Sequence, residues 1–112
     1  MSDEELFKKI TEDMYELFKR KNTDYGDSAH KTYKEFGLTS FLVRLSDKLN
    51  RAITLNRQDA MVHDEKIEDT LIDMANYSIL ALIEMEKEKE DIDKAADRAV
   101  EGFKKAGFSL YH

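Results

Sequence analysis

The sequence predicts an all-α protein, a helical bundle of about four main helices, and three observations indicate this fold. The chain of 112 residues contains no proline and four glycines, and 38% of its residues are charged, a composition typical of helices. Apolar residues recur three and four positions apart over long stretches. The connections between these stretches are short, which favours antiparallel neighbouring helices and therefore a bundle.

The first helix is predicted over residues 3–21, and a loop follows it. Ser2 and Glu5 have the spacing of a capping box, which satisfies backbone N–H groups at the start of a helix. Residues 22–28 are rich in turn formers, and Gly26 among them can adopt a positive φ. We therefore expect this segment to connect two helices.

A short helix is predicted over residues 29–36 and a long one over residues 40–57. Gly37 follows the short helix at the position where a glycine often ends a helix. Thr39 precedes the long helix and is the expected N-cap, because its side chain can accept a hydrogen bond from the first turn.

The last two helices are predicted over residues 65–90 and 92–105. The first is apolar on most of its circumference, so we expect it to be the most buried helix, with the charged residues 84–90 in solvent. The second has a weaker apolar stripe and is interpreted as a packing helix or a partner contact. A small core beside such an apolar helix favours a homodimer or homotetramer over a monomer.

The composition restricts the class of protein. The length predicts one domain over residues 1–112, and the absence of cysteine excludes disulfides and thiolate metal sites. The acidic N-terminus lacks the features of a signal peptide, and no apolar run is long enough to span a membrane, so we expect a cytoplasmic protein without a membrane partner. The formal net charge of −6 argues against an extended nucleic-acid surface but is compatible with a small phosphorylated ligand.

An acidic stripe on the predicted helix 65–90 is the first candidate functional feature. Its members recur at helical spacing and are Glu65, Asp69, Asp73 and Asn76. Burying unpaired carboxylates is costly, so we expect a cation to meet them. Mg²⁺ prefers such oxygen ligands, with Mn²⁺ as the alternative ion. The other interpretation is a solvated acidic face.

A mostly basic cluster on the preceding helix is the second candidate. Its members share one helical face and are Arg44, Asp47, Lys48 and Arg51. One interpretation is a set of intrahelical ion pairs. The other pairs this face with the acidic stripe across the bundle, where Asp47 adds a metal ligand while Lys48 and Arg51 bind phosphate oxygens.

The predicted loop 22–28 is the third candidate. Tyr25 beside a glycine could stack on a base while Asn22 or Asp24 contacts the edge of that base. The alternative is an ordinary turn with a packed tyrosine.

Three sequence blocks together resemble a known family. They are Lys-Asn-Thr-Asp-Tyr-Gly at 21–26, Arg-Leu-Ser-Asp-Lys-Leu-Asn-Arg at 44–51, and Asp-Glu-x3-Asp-Thr-Leu-x-Asp-Met-Ala-Asn-Tyr at 64–77. In this order they resemble the nucleotide modification associated domain 1 family. Members of that family are small helical proteins, common in phages and in bacteria that carry phage genes.

More distantly, the pattern is similar to the MazG and dimeric dUTPase superfamily of all-α nucleoside triphosphate pyrophosphohydrolases. This resemblance implies a MazG-like bundle in which acidic residues on two helices hold Mg²⁺ and water attacks the α-phosphate. It assigns Asp69 and Asp73 to the second acidic motif and Asp47 to the first. The chain departs from the superfamily pattern because Thr70 replaces a glutamate, and because Asp47 stands with Lys48 and Arg51 in place of a Glu-x-x-Glu pair.

These features predict Mg²⁺-dependent hydrolysis of a (deoxy)nucleoside triphosphate to a monophosphate and pyrophosphate. The residues expected at the catalytic centre are Glu65, Asp69, Asp73 and Lys48. The residues expected to bind the metal are Asp47, Glu65, Asp69 and Asp73. The residues expected to bind the substrate are Arg44, Lys48, Arg51, Asn76, Tyr25 and Asn22. Two alternatives stay open: a non-catalytic module that binds or sequesters a nucleotide in the same pocket, and a structural oligomer whose acidic stripe is neutralised by salt bridges.

Overall fold

The computed structural model describes residues 1–58 and 66–107, with the side chains of residues 22–26 outside the description. The described residues form three α-helices and no strand: α1 (Asp3–Phe36), α2 (Thr39–Arg57) and α3 (Ile67–Lys105). The all-α prediction is therefore confirmed. No helix in these residues is long and apolar enough to cross a bilayer.

Helix α1 is longer than predicted, because residues 22–28 continue the helix and do not form a loop. The capping box at its start is confirmed: the Glu5 backbone N–H donates to Ser2 Oγ at 3.1 Å, and Ser2 Oγ donates to Glu5 Oε1 at 3.1 Å. Turn-forming residues lower helix stability by less than about 1 kcal/mol each, and only proline forces a break. Without a proline, the flanking helical turns extend through the segment.

The junction between α1 and α2 is a tight turn at Gly37. This glycine has φ 67° and ψ −157°, and its N–H donates to the Tyr33 carbonyl at 2.7 Å. The predicted helix end is confirmed. The predicted N-cap of α2 is wrong, because Thr39 is the first helical residue and Leu38 takes the cap position without a side-chain hydrogen bond. Ser40 Oγ instead donates to the Gly37 carbonyl at 2.9 Å, which closes the turn.

Helix α3 is one continuous helix, whereas two separate helices were predicted from the sequence over residues 65–90 and 92–105. Only Asp91 separates the two predicted helices, and it follows the glutamates and lysines of residues 86–90, which are strong helix formers. With no proline or glycine at this point, the helix continues. Glu65, the first residue of the predicted helix, lies outside the described residues.

Residues Met1–Ala81 form one compact unit, whose core lies where the three helices meet. The buried centre is Phe41, Leu80 and Ala81, and the partly buried residues against it are Phe18, Ala29, Tyr33 and Tyr77. Within this unit, α3 buries the side that carries Leu80 and Ala81. Leu71 and Ile79, on other sides of the helix, are 53% and 43% exposed. The expectation of an α3 helix buried on most sides is therefore wrong for the single chain.

Residues Leu82–His112 form the second compact unit. The expectation that residues 84–90 lie in solvent is confirmed for residues 85–90, which are exposed, and is wrong for Glu84, which is only 4% exposed. Its carboxylate lies 3.6 Å from the Lys87 ammonium. This pairing offsets part of the cost of removing a carboxylate from water. The single domain over residues 1–112 stays a prediction.

We expect Gly37→Ala to lower the free energy of unfolding by about 2 kcal/mol, because its φ and ψ lie in a region that only glycine adopts easily. Gly102→Ala is the matched control: Gly102 lies within α3, and an added Cβ at either glycine meets no atom within 4 Å. It should cause no loss and should gain at most about 1 kcal/mol. Urea denaturation followed by circular dichroism measures both; equal losses would contradict the role of Gly37.

Candidate functional site

An ion pair between α2 and α3 is the centre of the candidate site. The Lys48 ammonium donates to Asp73 Oδ2 at 3.1 Å, and the two side chains are 28% and 40% exposed. Both residues come from the clusters that the sequence singled out, and Lys48 meets the acidic stripe across the bundle. Two interpretations of the pair are open: a structural salt bridge, or part of a site that binds a metal ion and the phosphates of a substrate.

A second contact links the same two helices. The Arg44 guanidinium carbon lies 5.7 Å from the centre of the Tyr77 ring, within the range of a cation–π interaction. From Arg44 to Lys48 the chain advances four residues, and from Tyr77 to Asp73 it goes back four. Helices α2 and α3 are therefore antiparallel, with successive turns of one facing successive turns of the other.

The same register brings the turn of α2 that carries Arg51 level with the turn of α3 that carries Asp69. Both side chains are exposed, so solvent or a ligand reaches them. Arg51 also lines a cavity of about 330 Å³ at the C-terminal end of α2, together with Asn50, Thr54, Leu55 and Gln58. Asn76 is half-buried on α3 and Asp47 is exposed on α2.

The metal site stays a prediction. Within residues 1–58 and 66–107, no three histidine, aspartate or glutamate side chains group closely enough to hold a metal ion. Glu65, which the sequence assigned to this site, lies outside those residues. Asp69 and Asp73 lie one turn apart on one face of α3, and their carboxylate oxygens suit Mg²⁺ in chemical type.

A cavity of about 180 Å³ lies beside the Arg44–Tyr77 contact. All three helices line it, with residues Ser28, Ala29, Thr32, Ser40, Phe41, Arg44, Tyr77 and Leu80. Apolar and aromatic side chains form part of the wall, while the hydroxyl groups of two serines and one threonine and the Arg44 guanidinium supply polar contacts. Such a mixture is typical of small-molecule sites.

Most residues of this cavity were not predicted from the sequence. Ser28 was expected in a loop, and no role was expected for Thr32 and Ser40 beyond forming helices. Tyr25 and Asn22 were expected to contact the base, and their side chains lie outside the residues that the structure describes. The sequence signal for two of the cavity residues was a matching spacing: Arg44 precedes Lys48 by four residues and Tyr77 follows Asp73 by four, so an antiparallel pairing of Lys48 with Asp73 also brings Arg44 to Tyr77.

The comparison with known families decides the classification of the chain. A family model described as nucleotide modification associated domain 1 matches residues 21–85, which is more than half of the chain. The chain belongs to this family. The matched residues include the Lys48–Asp73 pair and the whole lining of the smaller cavity. No curated protein and no solved structure matches the chain.

We expect a double-mutant cycle of Lys48→Ala and Asp73→Ala to give a coupling free energy of about 0.5–1 kcal/mol, because both side chains are only partly exposed. The matched control is the Lys8–Glu12 pair, whose side chains are 77% and 65% exposed. Its coupling free energy should be about 0.2 kcal/mol. Urea denaturation at low and high salt measures both cycles. A Lys48–Asp73 coupling no larger than the control would contradict the structural contribution of this pair.

Proposed function

We propose that this protein is an Mg²⁺-dependent hydrolase that converts a (deoxy)nucleoside triphosphate to a monophosphate and pyrophosphate, in phage or bacterial nucleotide metabolism. The supporting observation is the Lys48–Asp73 pair, which joins a row of cations on α2 to a row of carboxylates on α3. Cations beside a carboxylate centre suit phosphoryl chemistry, because they stabilise the charge that develops on the transferring group. The MazG-like bundle that the superfamily resemblance implies is part of this proposal.

The cations of α2 bind the triphosphate in this proposal. Lys48 and Arg51 lie about one turn apart on one face of α2 and bind the phosphate oxygens, while Arg44, one turn before Lys48, contacts another part of the substrate. Guanidinium groups bind phosphate oxygens through two parallel hydrogen bonds, and an ammonium contributes a compact charge. Arg51 is exposed and lies next to the larger cavity, where the terminal phosphates have room.

The carboxylates of α3 hold the metal in this proposal, with Asp69 and Asp73 as ligands and Glu65 and Asp47 completing the set. The chemistry that Mg²⁺ would supply there is activation of a water for attack and neutralisation of phosphate charge. Lys48 keeps the Asp73 carboxylate oriented towards α2, where the substrate phosphates lie. Asn76 is half-buried one turn further along α3 and orients a ligand or a water through its amide.

A non-catalytic nucleotide-binding module is the second candidate function. It is favoured by the same ion pair, because a carboxylate already engaged by Lys48 needs no metal to satisfy it. In that case the α2 cations still bind phosphate, and no pyrophosphate is released.

We expect the wild-type protein to release pyrophosphate from at least one nucleotide in a panel of ribo- and deoxyribonucleoside triphosphates with Mg²⁺. Asp73→Asn should lower the rate by more than about 100-fold, because it removes a ligand charge while keeping the shape of the side chain. Asp97→Asn is the control, since Asp97 is exposed and lies outside the family match. Full turnover by Asp73→Asn would overturn the assignment.

The same nucleotide panel distinguishes the hydrolase from the two alternative functions. Nucleotide binding without pyrophosphate release favours the non-catalytic module. A melting temperature that neither nucleotide nor Mg²⁺ raises favours a purely structural oligomer, because a ligand that binds the native state must stabilise it.

The proposal includes self-association as a homodimer or homotetramer. Leu71 and Ile79 are 53% and 43% exposed on α3, and Leu71 lies on the opposite side of the helix from Asp73. An apolar surface there can be covered by a second copy without covering the candidate site.

We expect Leu71→Glu to shift the protein to a monomer, because a carboxylate in an apolar interface loses its hydration. Light scattering coupled to size-exclusion chromatography measures the mass. Ile10→Glu is the control, because Ile10 is also 53% exposed but lies outside the family match. A wild-type protein that is monomeric at high concentration would contradict self-association.

A further inference from the structure

We propose that the cavity of about 180 Å³ binds the base of the nucleotide and selects bases that carry an exocyclic amine beside a ring nitrogen, as cytosine and adenine do. This inference rests on the proposed function, because it requires the phosphates to lie along Lys48 and Arg51.

The size and walls of the cavity suit a single heterocycle. A cavity of about 150 Å³ is enough to hold benzene in other proteins, so the volume here is of the order needed for one flat nucleobase. Phe41 and Leu80 in the wall are 3% and 7% exposed, and the Tyr77 ring lies beside them. Aromatic and apolar walls of this kind favour a flat ring over a sugar or a phosphate.

Two hydroxyl groups of the cavity are acceptors for a ligand. Thr32 Oγ1 donates its proton to the Ser28 carbonyl at 2.8 Å, and Ser40 Oγ donates its proton to the Gly37 carbonyl at 2.9 Å. With the protons committed to backbone carbonyls, the oxygens offer only lone pairs. A group with N–H donors satisfies them, whereas a carbonyl oxygen does not.

Arg44 supplies the complementary donor. Its guanidinium has N–H groups and no acceptor, and it lies over the Tyr77 ring at the edge of the cavity. An exocyclic amine donates to the hydroxyl oxygens while the neighbouring ring nitrogen accepts from the guanidinium. Uracil and thymine place a carbonyl where the amine would be, so acceptor faces acceptor and binding weakens.

The cavity lies close enough to Lys48 and Arg51 for one nucleotide to contact both the cavity and these two cations. Arg44 lines the cavity, and Lys48 lies one helical turn, about 5.4 Å, further along α2. A base in the cavity therefore leaves its phosphates within reach of Lys48 and Arg51.

Cytidine and uridine nucleotides form a matched test, because their bases differ at position 4 in carrying an amine or a carbonyl. The probes are the α,β-methylene analogues of CTP and UTP with Mg²⁺, which cannot be cleaved at the α–β bond, and calorimetry measures their binding. We expect the CTP analogue to bind about tenfold more tightly. The α,β-methylene analogue of ATP should also bind more tightly than the UTP analogue.

Thr32→Val removes the hydroxyl while keeping the shape of the side chain, so it should weaken the CTP analogue about fivefold and leave the UTP analogue unchanged. Ser40→Ala is a second variant with the same expected loss of selectivity. Thr11→Val is the matched control, because Thr11 Oγ1 donates to the Phe7 carbonyl at 2.9 Å outside the cavity. Circular dichroism checks that each variant is folded.

The outcomes separate this inference from the proposed function. Equal binding of the CTP and UTP analogues, unaffected by Thr32→Val and Ser40→Ala, overturns the base selection but leaves the hydrolase proposal intact. No binding of any nucleoside triphosphate overturns both. Selective binding of the CTP analogue that is lost in both variants and kept in Thr11→Val supports the inference.

Discussion

The antiparallel register between α2 and α3 is the constraint on which the rest of the candidate site depends. Two contacts define it, the Lys48–Asp73 ion pair and the Arg44–Tyr77 cation–π contact one turn away. The buried residues Phe41 and Leu80 continue the register into the core. A shift of either helix by one residue would separate the two contacts at the same time, so packing in the core sets the spacing of the side chains in the candidate site.

The ion pair also explains how charged residues are kept beside an apolar core. Each partner alone would be a partly desolvated charge, and removing one leaves the other without compensation. Together they connect a cationic row on α2 with an acidic row on α3, while both rows still reach solvent. In the proposed function, a ligand that carries phosphate and metal charges exchanges with this pair, so that one pair of residues both stabilises the helix contact and binds the ligand.

Helix continuity positions the remaining parts of the site. Because α1 continues through residues 22–28, Ser28 and Thr32 lie one turn apart on one helix and both line the smaller cavity. The tight turn at Gly37 then brings Ser40 and Arg44 to the other side of that cavity. With a loop at 22–28, the Ser28 hydroxyl would not be held at a constant distance from the guanidinium, whereas Thr32 and Ser40 are connected to Arg44 through residues after that segment.

The sequence by itself determined the helical class, the capping box at Ser2, the helix end at Gly37 and the two charged clusters, because all of these depend on residues close together along the chain. Family membership also followed from the order of its motifs. The tertiary structure alone decided that Lys48 faces Asp73, that Thr32, Ser40 and Tyr77 share a cavity, and that only one side of α3 is buried. Those features depend on the rotation and register of one helix against another, and helical periodicity specifies a face but does not specify its partner.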